Sequence, residues 1–325
     1  MNAKYGLIVC STENLGDDIQ SLAAKQFLPR IDVYVDRDYI NNINCSNEEM
    51  KLIMNGWFTH RPDIWLPPPC ISPLFVSFHI DPKAADILFS RKEAIEYFQN
   101  WEPIGCRDIN TLSIFRMYNI KAYFSGCLTL TLDYKYGFYT EKERNKILIV
   151  DVPQEVFRYI PKEISENAIV LTHYLFNPTI NLFNRIYIIK KIIRKIIPEK
   201  YKLILPTIID RLRAKTMSID ERFTKAEQVL KMYAQAKLVI TSRLHVALPC
   251  IAFDTPVIFV HKNLNNPRFS GLLDFLNAYN MKSFNEIINT IDWEKPPKNP
   301  NREKLKDLKR KLVKICLEFT KQSNQ

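Results

Sequence analysis

The chain has 325 residues, which is more than one hydrophobic core usually holds and suits two domains. Hydrophobic residues make up 46% of the chain and charged residues 25%, which excludes a disordered or collagen-like protein. With 7 glycines against 19 prolines, a many-stranded sandwich or barrel is also disfavoured. There is no uncharged apolar stretch of about 18 residues and no secretory signal pattern, so we expect a cytoplasmic protein.

The net charge of +11 is concentrated in two segments. Lys and Arg outnumber Asp and Glu by seven to one in Ile180–Lys202 and by ten to three in Lys295–Gln325. Such segments suit an anionic surface, either nucleic acid or the cytoplasmic membrane leaflet. The seven cysteines occur singly, without a C-x-x-C pair, and we expect them to be reduced core residues rather than zinc ligands.

In the first part of the chain, short apolar runs alternate with helical patterns. Six runs predict strands, at Tyr5–Cys10, Ile31–Asp36, Lys51–Asn55, Leu74–Phe78, Pro103–Cys106 and Lys121–Phe124. Helical spacing occurs at Asp17–Phe27, Ala84–Asn100 and Asp108–Tyr118, with Asp17 and Asp108 as expected N-caps. Strands that are mostly apolar throughout and separated by helices predict a parallel sheet covered on both faces.

The second part repeats this scheme after a polar and aromatic linker at Leu130–Arg144. Strands are predicted at Lys146–Val150, Ala168–Thr172, Lys202–Pro206, Lys237–Thr241 and Val257–Val260, and helices at Asn181–Ile197, Ile219–Ala236 and Leu244–Ala252. Asn301–Phe319 has one apolar helical face and is expected to pack back across a domain. We therefore predict an α/β fold in which two Rossmann-like domains, residues 1–135 and 145–295, face a cleft, followed by a basic helix at 296–325.

Ligands of open parallel sheets bind beyond the carboxyl ends of the strands. The strongest pattern at such an end is Ser242-Arg243-Leu244-His245, where a strand passes directly into a helix. The unpaired N–H groups of a helix start, a guanidinium and an imidazole together indicate an anion site with an acid attached. The alternative is a capping Ser242 with Arg243 paired to a surface carboxylate.

The first strand is followed by Asn14, Gly16, Asp17 and Asp18, which do not form a G-x-G-x-x-G pattern. Acidic side chains would repel a pyrophosphate, so a hydroxyl-rich ligand fits better. Asp17 or Asp18 could accept hydrogen bonds from sugar hydroxyls or act as a base. For Asp17, a role as a simple helix cap is equally open.

At other predicted strand ends, each polar or aromatic residue could have either a functional or a structural role. Asn55 and Trp57 could form a sugar platform, or Trp57 could belong to the core. His79 is either functional or a satisfied core histidine, and Arg107-Asp108 resembles the Arg243 arrangement in miniature.

The predicted helix Asn181–Ile197 places isoleucines on one face and a set of basic residues on the other: Lys190, Lys191, Arg194 and Lys195. This pattern fits either a membrane-surface helix or an ordinary helix with a solvated basic face.

Three motifs together resemble the polysaccharide pyruvyl transferase family. They are Asn14-Leu15-Gly16-Asp17, Gly105-Cys106-Arg107-Asp108 followed by Thr111, and Ser242-Arg243-Leu244-His245 with Pro256 downstream. The resemblance extends from Gly6 to about Gly271, and Arg243-Leu244-His245 is its most specific part. It implies a glycosyltransferase-like (GT-B-like) fold of two Rossmann-type domains. It also implies transfer of pyruvyl from phosphoenolpyruvate to sugar hydroxyls, often as a cyclic ketal, in synthesis of capsule, exopolysaccharide or cell-wall polymers.

The resemblance implies that Arg243, Leu244 and His245 match the motif that binds phosphoenolpyruvate. In that chemistry His245 is the candidate acid, Arg107 neutralises remaining charge, and Asp17 or Asp18 orients or deprotonates the attacking hydroxyls. The scheme needs no metal and no cofactor besides phosphoenolpyruvate as co-substrate.

The expected partners are phosphoenolpyruvate, a saccharide or lipid-linked saccharide, and an anionic membrane surface, with no nucleic acid. Two other functions stay open. One is a glycosyltransferase of the same fold that uses a nucleotide sugar, and the other is a non-catalytic basic protein that binds membranes or nucleic acid.

Overall fold

The computed structural model describes residues 3–45, 48–58, 61–137, 139, 144–175 and 216–321. It contains two parallel sheets, each with helices on both faces. The predicted helix Asn181–Ile197, with its four basic residues, and the predicted strand Lys202–Pro206 lie outside the described residues. No helix in the described ranges is long and apolar enough to cross a membrane.

The first sheet has six parallel strands, and all six predicted strands are confirmed. They are β1 (Lys4–Val9), β2 (Val33–Asp36), β3 (Met50–Trp57), β4 (Ile71–His79), β5 (Ile104–Cys106) and β6 (Ala122–Phe124). Their order is β2-β1-β3-β4-β5-β6, so the chain changes direction across the sheet between β1 and β3. The covering helices are α1 (Leu15–Lys25), α2 (Pro82–Leu88), α3 (Lys92–Asn100) and α4 (Ile109–Met117).

Two details of the predicted helices are wrong. Asn14, rather than Asp17, caps α1, because its side chain accepts a hydrogen bond from the Gly16 amide at 3.1 Å. The predicted helix Ala84–Asn100 is divided into α2 and α3. The Ser90 hydroxyl donates to the carbonyl of Ile87 at 2.8 Å, and such side-chain bonds compete with helix continuation. Asp108 does cap α4, accepting from the Thr111 amide at 2.9 Å.

The second sheet has five parallel strands in the order β11-β10-β9-β7-β8. These are β7 (Lys146–Val150), β8 (Ile169–Leu171), β9 (Ala236–Thr241), β10 (Val257–Val260) and β11 (Asn277–Tyr279). The helices of this half are α6 (Gln154–Tyr159), α7 (Lys162–Asn167), α8 (Ile219–Ala234), α9 (Leu244–Ala252) and α10 (Met281–Ile287). The sequence did not predict β11, because three half-buried residues carry no periodic pattern.

The two halves share one hydrophobic core. Leu22 of α1, Leu230 of α8 and Leu244 of α9 belong to a single buried cluster. The start of the predicted linker contributes to it, since Leu130 is fully buried in a 3-10 turn at Leu128–Thr131, followed by α5 (Asp133–Tyr136). The domain boundaries themselves remain predictions.

The terminal helix, α11 (Arg302–Lys321), returns to the first sheet as predicted. Its carbonyls at Phe319 and Thr320 accept hydrogen bonds from Lys51 Nζ and Tyr5 Oη, both at 3.0 Å. The predicted α/β fold of two Rossmann-like units with a returning helix is therefore confirmed.

The cysteine prediction is wrong for one pair. Cys45 and Cys70 form a disulfide. Cys45 lies in the segment that leads into β3, and Cys70 directly precedes β4, the strand next to β3 in the sheet. The other five cysteines are free and buried, as expected: Cys10, Cys106, Cys127, Cys250 and Cys316.

Candidate active site at the junction of the two sheets

The carboxyl ends of the strands of both sheets meet at the junction of the two halves. Backbone hydrogen bonds join the loop after β1 to the loop after β8: Leu15 N donates to His173 O at 3.1 Å, and Leu175 N donates to Glu13 O at 2.8 Å. The start of α4 is similarly bound to the second half, because Ile109 N donates to Ser270 O at 3.1 Å. Side chains at these strand ends are therefore held in one place by both halves, as ligand sites of open sheets require.

Three arginines converge at this junction: Arg107 after β5, Arg243 after β9, and Arg268 in a 3-10 turn (Pro267–Phe269) after β10. Arg107 is 1% exposed, its Nε lies 3.7 Å from Asp108, and this Nε has no hydrogen-bond partner among the described residues. Arg268 forms no ion pair within the described ranges, and its buried Nε also has no partner. Guanidinium groups that have lost water without gaining acceptors favour binding of an anion.

The lowered pKa of Arg268 indicates the same excess of positive charge. Burial, followed by the nearby charges of Arg107 and Arg243, lowers the pKa of Arg268 to about 10. Its guanidinium also lies over the ring of Trp57, 5.5 Å from the centroid, so a residue of the second half contacts one of the first. The junction is consequently a cationic cradle built by both halves.

Arg243 is more fully engaged than the other two arginines. Its Nε lies 3.1 Å from Asp151, and its guanidinium contacts the hydroxyl and ring of Tyr174, with the ring centroid 4.7 Å away. Asp151 has a φ of 47°, a left-handed conformation that a non-glycine residue adopts at a cost. Ser242 does not cap α9, because its hydroxyl donates to Val260 O at 2.6 Å. The interpretation of this segment as an ordinary cap is therefore wrong, although Arg243 does have a carboxylate partner.

Two histidines of the second half lie beside Gly16 of the first. A Cβ on Gly16 would stand 2.9 Å from His245 Cβ and 3.1 Å from His173 Nε2, so only glycine fits this approach. His173 is 1% exposed, and its Nδ1 lies 3.0 Å from the Tyr233 hydroxyl. Its Nε2 is buried without a hydrogen-bond partner among the described residues.

The surroundings of these imidazoles keep them neutral. Burial and then Arg107 and Arg268 lower the pKa of His245 well below its usual range. Burial and then Arg243 lower the pKa of His173 to about 3. A negative ligand between the arginines would cancel the arginine contribution, because it has the opposite sign.

His79 is paired with a carboxylate of the same half. Its Nδ1 lies 2.6 Å from Asp108 Oδ2, and both side chains are buried. The edge of its ring meets Trp57, with the centroids 5.4 Å apart. Burial and then Arg107 lower the pKa of His79 to about 4, against the opposite effect of Asp108.

The structure places Asp17 and Asp18 in buried ion pairs. Asp17 accepts from Arg37 NH1 at 3.1 Å and from the Thr12 hydroxyl at 2.6 Å. Asp18 is 2% exposed and accepts two hydrogen bonds from Arg222, at 3.1 and 3.0 Å. Burial raises the pKa of the Asp18 carboxyl, while the Arg222 guanidinium acts in the opposite direction. Both carboxylates join α1 to its surroundings through these buried contacts, and their role as the expected base stays a prediction.

Other predicted site residues have structural partners. The Leu244 side chain is buried in the shared core, so only its backbone N–H remains for a ligand. Asn55 is buried and donates to Gln20 O at 2.9 Å, which holds α1 on the sheet. Asn14 caps α1 and forms a β-bridge with Tyr174.

Arg268 is a site residue that the sequence did not predict. It follows no predicted strand directly, since Val257–Val260 ends eight residues earlier. A signal was nevertheless present, because Asn266-Pro267 begins a short turn, and the Asn266 side chain accepts from the Arg268 amide at 3.2 Å.

Comparison with known proteins gives one family. The family model described as polysaccharide pyruvyl transferase matches residues 14–260, which is about three quarters of the chain and contains most of the junction residues. No curated protein matches the sequence.

Several solved structures are similar to this chain at low sequence identity. An uncharacterised protein from Klebsiella pneumoniae is 14% identical, with 82% of this chain and 87% of that chain covered and a TM-score of 0.44. An α,α-trehalose 6-phosphate synthase from Burkholderia multivorans is 10% identical, with coverages of 94% and 73% and a TM-score of 0.39. The wall teichoic acid polymerase TagF is 8% identical, with coverages of 99% and 90% and a TM-score of 0.36.

Proposed function

The chain belongs to the polysaccharide pyruvyl transferase family, and from that premise we propose that it transfers pyruvyl from phosphoenolpyruvate to hydroxyls of a saccharide. Membership of this family supports a transferase that modifies polysaccharides. The donor and the ketal product are our proposal.

The observation that carries the proposal is the surplus of positive charge at the junction. Arg107 and Arg268 have buried Nε groups with no acceptor in the part of the chain that the structure describes, and Arg243 adds a third guanidinium. Phosphoenolpyruvate is a small trianion with a carboxylate and a phosphate, so its two anionic groups match a cradle with several guanidinium forks. A sugar alone would not require three arginines.

In the proposed reaction a proton adds to the methylene carbon of phosphoenolpyruvate, and positive charge develops at the neighbouring C2. A sugar hydroxyl bonds to C2, the C2–O bond to phosphate breaks, and a second hydroxyl completes the ketal. One donor and two hydroxyls thus yield the ketal and hydrogen phosphate, with charge and protons balanced. The arginines hold the anionic groups throughout.

His245 is the proposed proton donor. It stands next to Gly16 and the arginines, and its lowered pKa keeps it neutral before the donor binds. The trianion cancels the arginine potential, so binding itself favours the imidazolium that can donate. Donor binding therefore shifts the pKa of His245 upward, in the direction that protonates the proposed acid.

Calorimetry with phosphoenolpyruvate tests the donor assignment. Arg268→Ala and Arg243→Ala should each cost about 1.5–3 kcal/mol, which corresponds to binding about 10- to 150-fold weaker, and lysine at either position should not restore it. Arg116→Ala, an exposed arginine of α4, is the matched control. Equal affinity of all variants would contradict the assignment, and preferential binding of nucleotide sugars would favour a glycosyltransferase.

A turnover assay tests the acid. Phosphate release from phosphoenolpyruvate is measured with water or a panel of methyl hexopyranosides as nucleophile. His245→Gln should bind the donor but lose turnover by about 10²–10⁴. Near-normal turnover of this variant would exclude His245 as the donor of the proton.

We also propose that the saccharide acceptor is lipid-linked and that the enzyme docks on an anionic leaflet. In the described ranges, support comes from a surface groove of about 720 Å³ along α11. Its apolar side chains are Tyr134, Val313 and Leu317, and four exposed cations form its rim: Lys306, Arg310, Lys314 and Lys321. Two acidic side chains also line it, Asp133 paired with Lys309 and Glu318 paired with Lys314, so positive charge exceeds negative charge. A groove of this composition suits phospholipid headgroups and the upper part of their chains.

Liposome sedimentation tests the docking proposal. The protein should sediment with phosphatidylglycerol vesicles and not with phosphatidylcholine vesicles at low salt, because each lysine near an anionic surface contributes about 1 kcal/mol. Replacing the four rim residues by glutamine should weaken sedimentation. The control replaces four exposed lysines elsewhere: Lys83, Lys92, Lys121 and Lys282. Equal sedimentation of both variants would contradict a role for this groove.

A further inference from the structure

The carboxylates expected to activate the sugar hydroxyl are engaged elsewhere, and one buried histidine is suited to replace them. Resting on the proposed function, we propose that His79 is the base that removes the proton from the attacking hydroxyl, with Asp108 as its positioning residue. This assigns the base to the first half, opposite His245 of the second half.

The Asp108 contact fixes the orientation and tautomer of His79. With Nδ1 2.6 Å from the Asp108 carboxylate, the ring proton resides on Nδ1 and Nε2 presents a lone pair. Asp108 is in turn held by the Thr111 amide at 2.9 Å, and Thr111 Oγ1 lies 3.2 Å from the same His79 nitrogen. In the described part of the chain Nε2 has no hydrogen-bond partner, so this nitrogen is available to a substrate.

The position of His79 also suits a base that acts on the same substrate as His245. His79 is one of the groups whose charge affects His245, and the pKa of each histidine is lowered by Arg107 and Arg268. The Trp57 ring touches both the His79 ring and the Arg268 guanidinium. His79 therefore lies at the same cradle as the proposed acid.

The other candidates are less suited to this role. Asp17 and Asp18 each already form a buried ion pair, with Arg37 and Arg222 respectively. His173 has a tyrosine hydroxyl as its partner instead of a carboxylate. Among the described histidines, only the His79 ring contacts an acidic side chain, and at neutral pH this contact is a hydrogen bond from the neutral imidazole to Asp108.

The reaction requires a group that accepts the proton of each attacking hydroxyl. As the first hydroxyl oxygen bonds to C2, Nε2 of His79 takes its proton and passes it to the departing phosphate, which leaves as hydrogen phosphate with the electron pair of the C2–O bond. Neutral His79 then accepts the proton of the second hydroxyl. That proton replaces, through solvent, the one that His245 gave to the methylene carbon.

The experiment compares His79→Gln, His79→Ala and Asp108→Asn with wild type in the phosphate-release assay. His79→Gln should keep the affinity for phosphoenolpyruvate within about twofold and lose turnover by about 10²–10⁴. Imidazole added to His79→Ala should restore part of the turnover, increasingly as pH rises and more of the imidazole is neutral. His261→Gln is the matched control, since that ring bonds to the backbone of Asn263.

Asp108→Asn tests the positioning role through pH dependence. The Asp108 charge raises the pKa of His79, so its loss lowers that pKa and moves the acidic limb of kcat/KM to lower pH. An unchanged acidic limb would contradict the role of Asp108.

Normal turnover of His79→Gln, or failure of imidazole to rescue His79→Ala, would overturn the assignment of the base. Failure of the proposed function gives a different result. In that case wild type itself would release no phosphate with any nucleophile.

Discussion

Asp18 offers a direct test of whether a carboxylate at the first strand end is catalytic or structural. It receives two hydrogen bonds from Arg222, whose NH2 also donates to Thr12 O at 3.0 Å. Asp18 is 2% exposed and Arg222 is 5% exposed. Because Asp18 is on α1 and Arg222 on α8, this ion pair joins the two halves.

Asp18→Asn should reduce the free energy of unfolding by about 3 kcal/mol. Removing one partner of a buried ion pair costs about 3–5 kcal/mol, and the remaining amide oxygen can still accept one hydrogen bond, so the lower end applies. The double variant Asp18→Leu/Arg222→Met removes both charges, so its cost should not exceed that of Asp18→Asn, with about 1–3 kcal/mol remaining for the unpaired Thr12 carbonyl.

Urea unfolding followed by tryptophan fluorescence measures the loss, and phosphate release per folded molecule measures the catalytic effect. Asp220→Asn, an exposed acidic residue of the same helix as Arg222, is the control and should change neither quantity. If Asp18→Asn unfolds at the wild-type urea concentration but loses turnover by 10²-fold or more, Asp18 is the base and the reasoning is refuted.

Three further outcomes are expected. Gly16→Ala should keep the fold but lower turnover by about 10²-fold in the phosphate-release assay, because its Cβ would stand 2.9 Å from His245 Cβ and displace the imidazole. Phosphoenolpyruvate binding at pH 6 should take up protons, because the anion raises the lowered pKa values of His79 and His245. Calorimetry in two buffers of different ionisation enthalpy measures this proton uptake, and an uptake of zero would contradict the prediction. Leu244→Ala should cost about 2–5 kcal/mol in urea unfolding, because that side chain fills the shared core, whereas a ligand contact would leave stability unchanged.

The sequence by itself determined the local elements and the class of fold. The strands β7 and β10 and the helix α9 occur with the predicted bounds, because apolar runs and helical spacing are properties of neighbouring residues. The alternation of these elements predicted two parallel sheets, and the continuous apolar strands predicted that both faces would be covered. The Arg243-Leu244-His245 segment also lies at a strand end next to a helix start, as predicted.

Only the tertiary structure decided what each polar residue does. An aspartate after a strand can be a cap, a base or half of an ion pair, and the choice depends on which distant group meets it. Asp18 meets Arg222, 204 residues away, whereas Asp108 both caps α4 and orients His79, 29 residues away. Arg268 joins the cradle because the turn Pro267–Phe269 packs against α4 of the other half. Such contacts are set by the docking of two sheets, which local spacing along the chain does not encode.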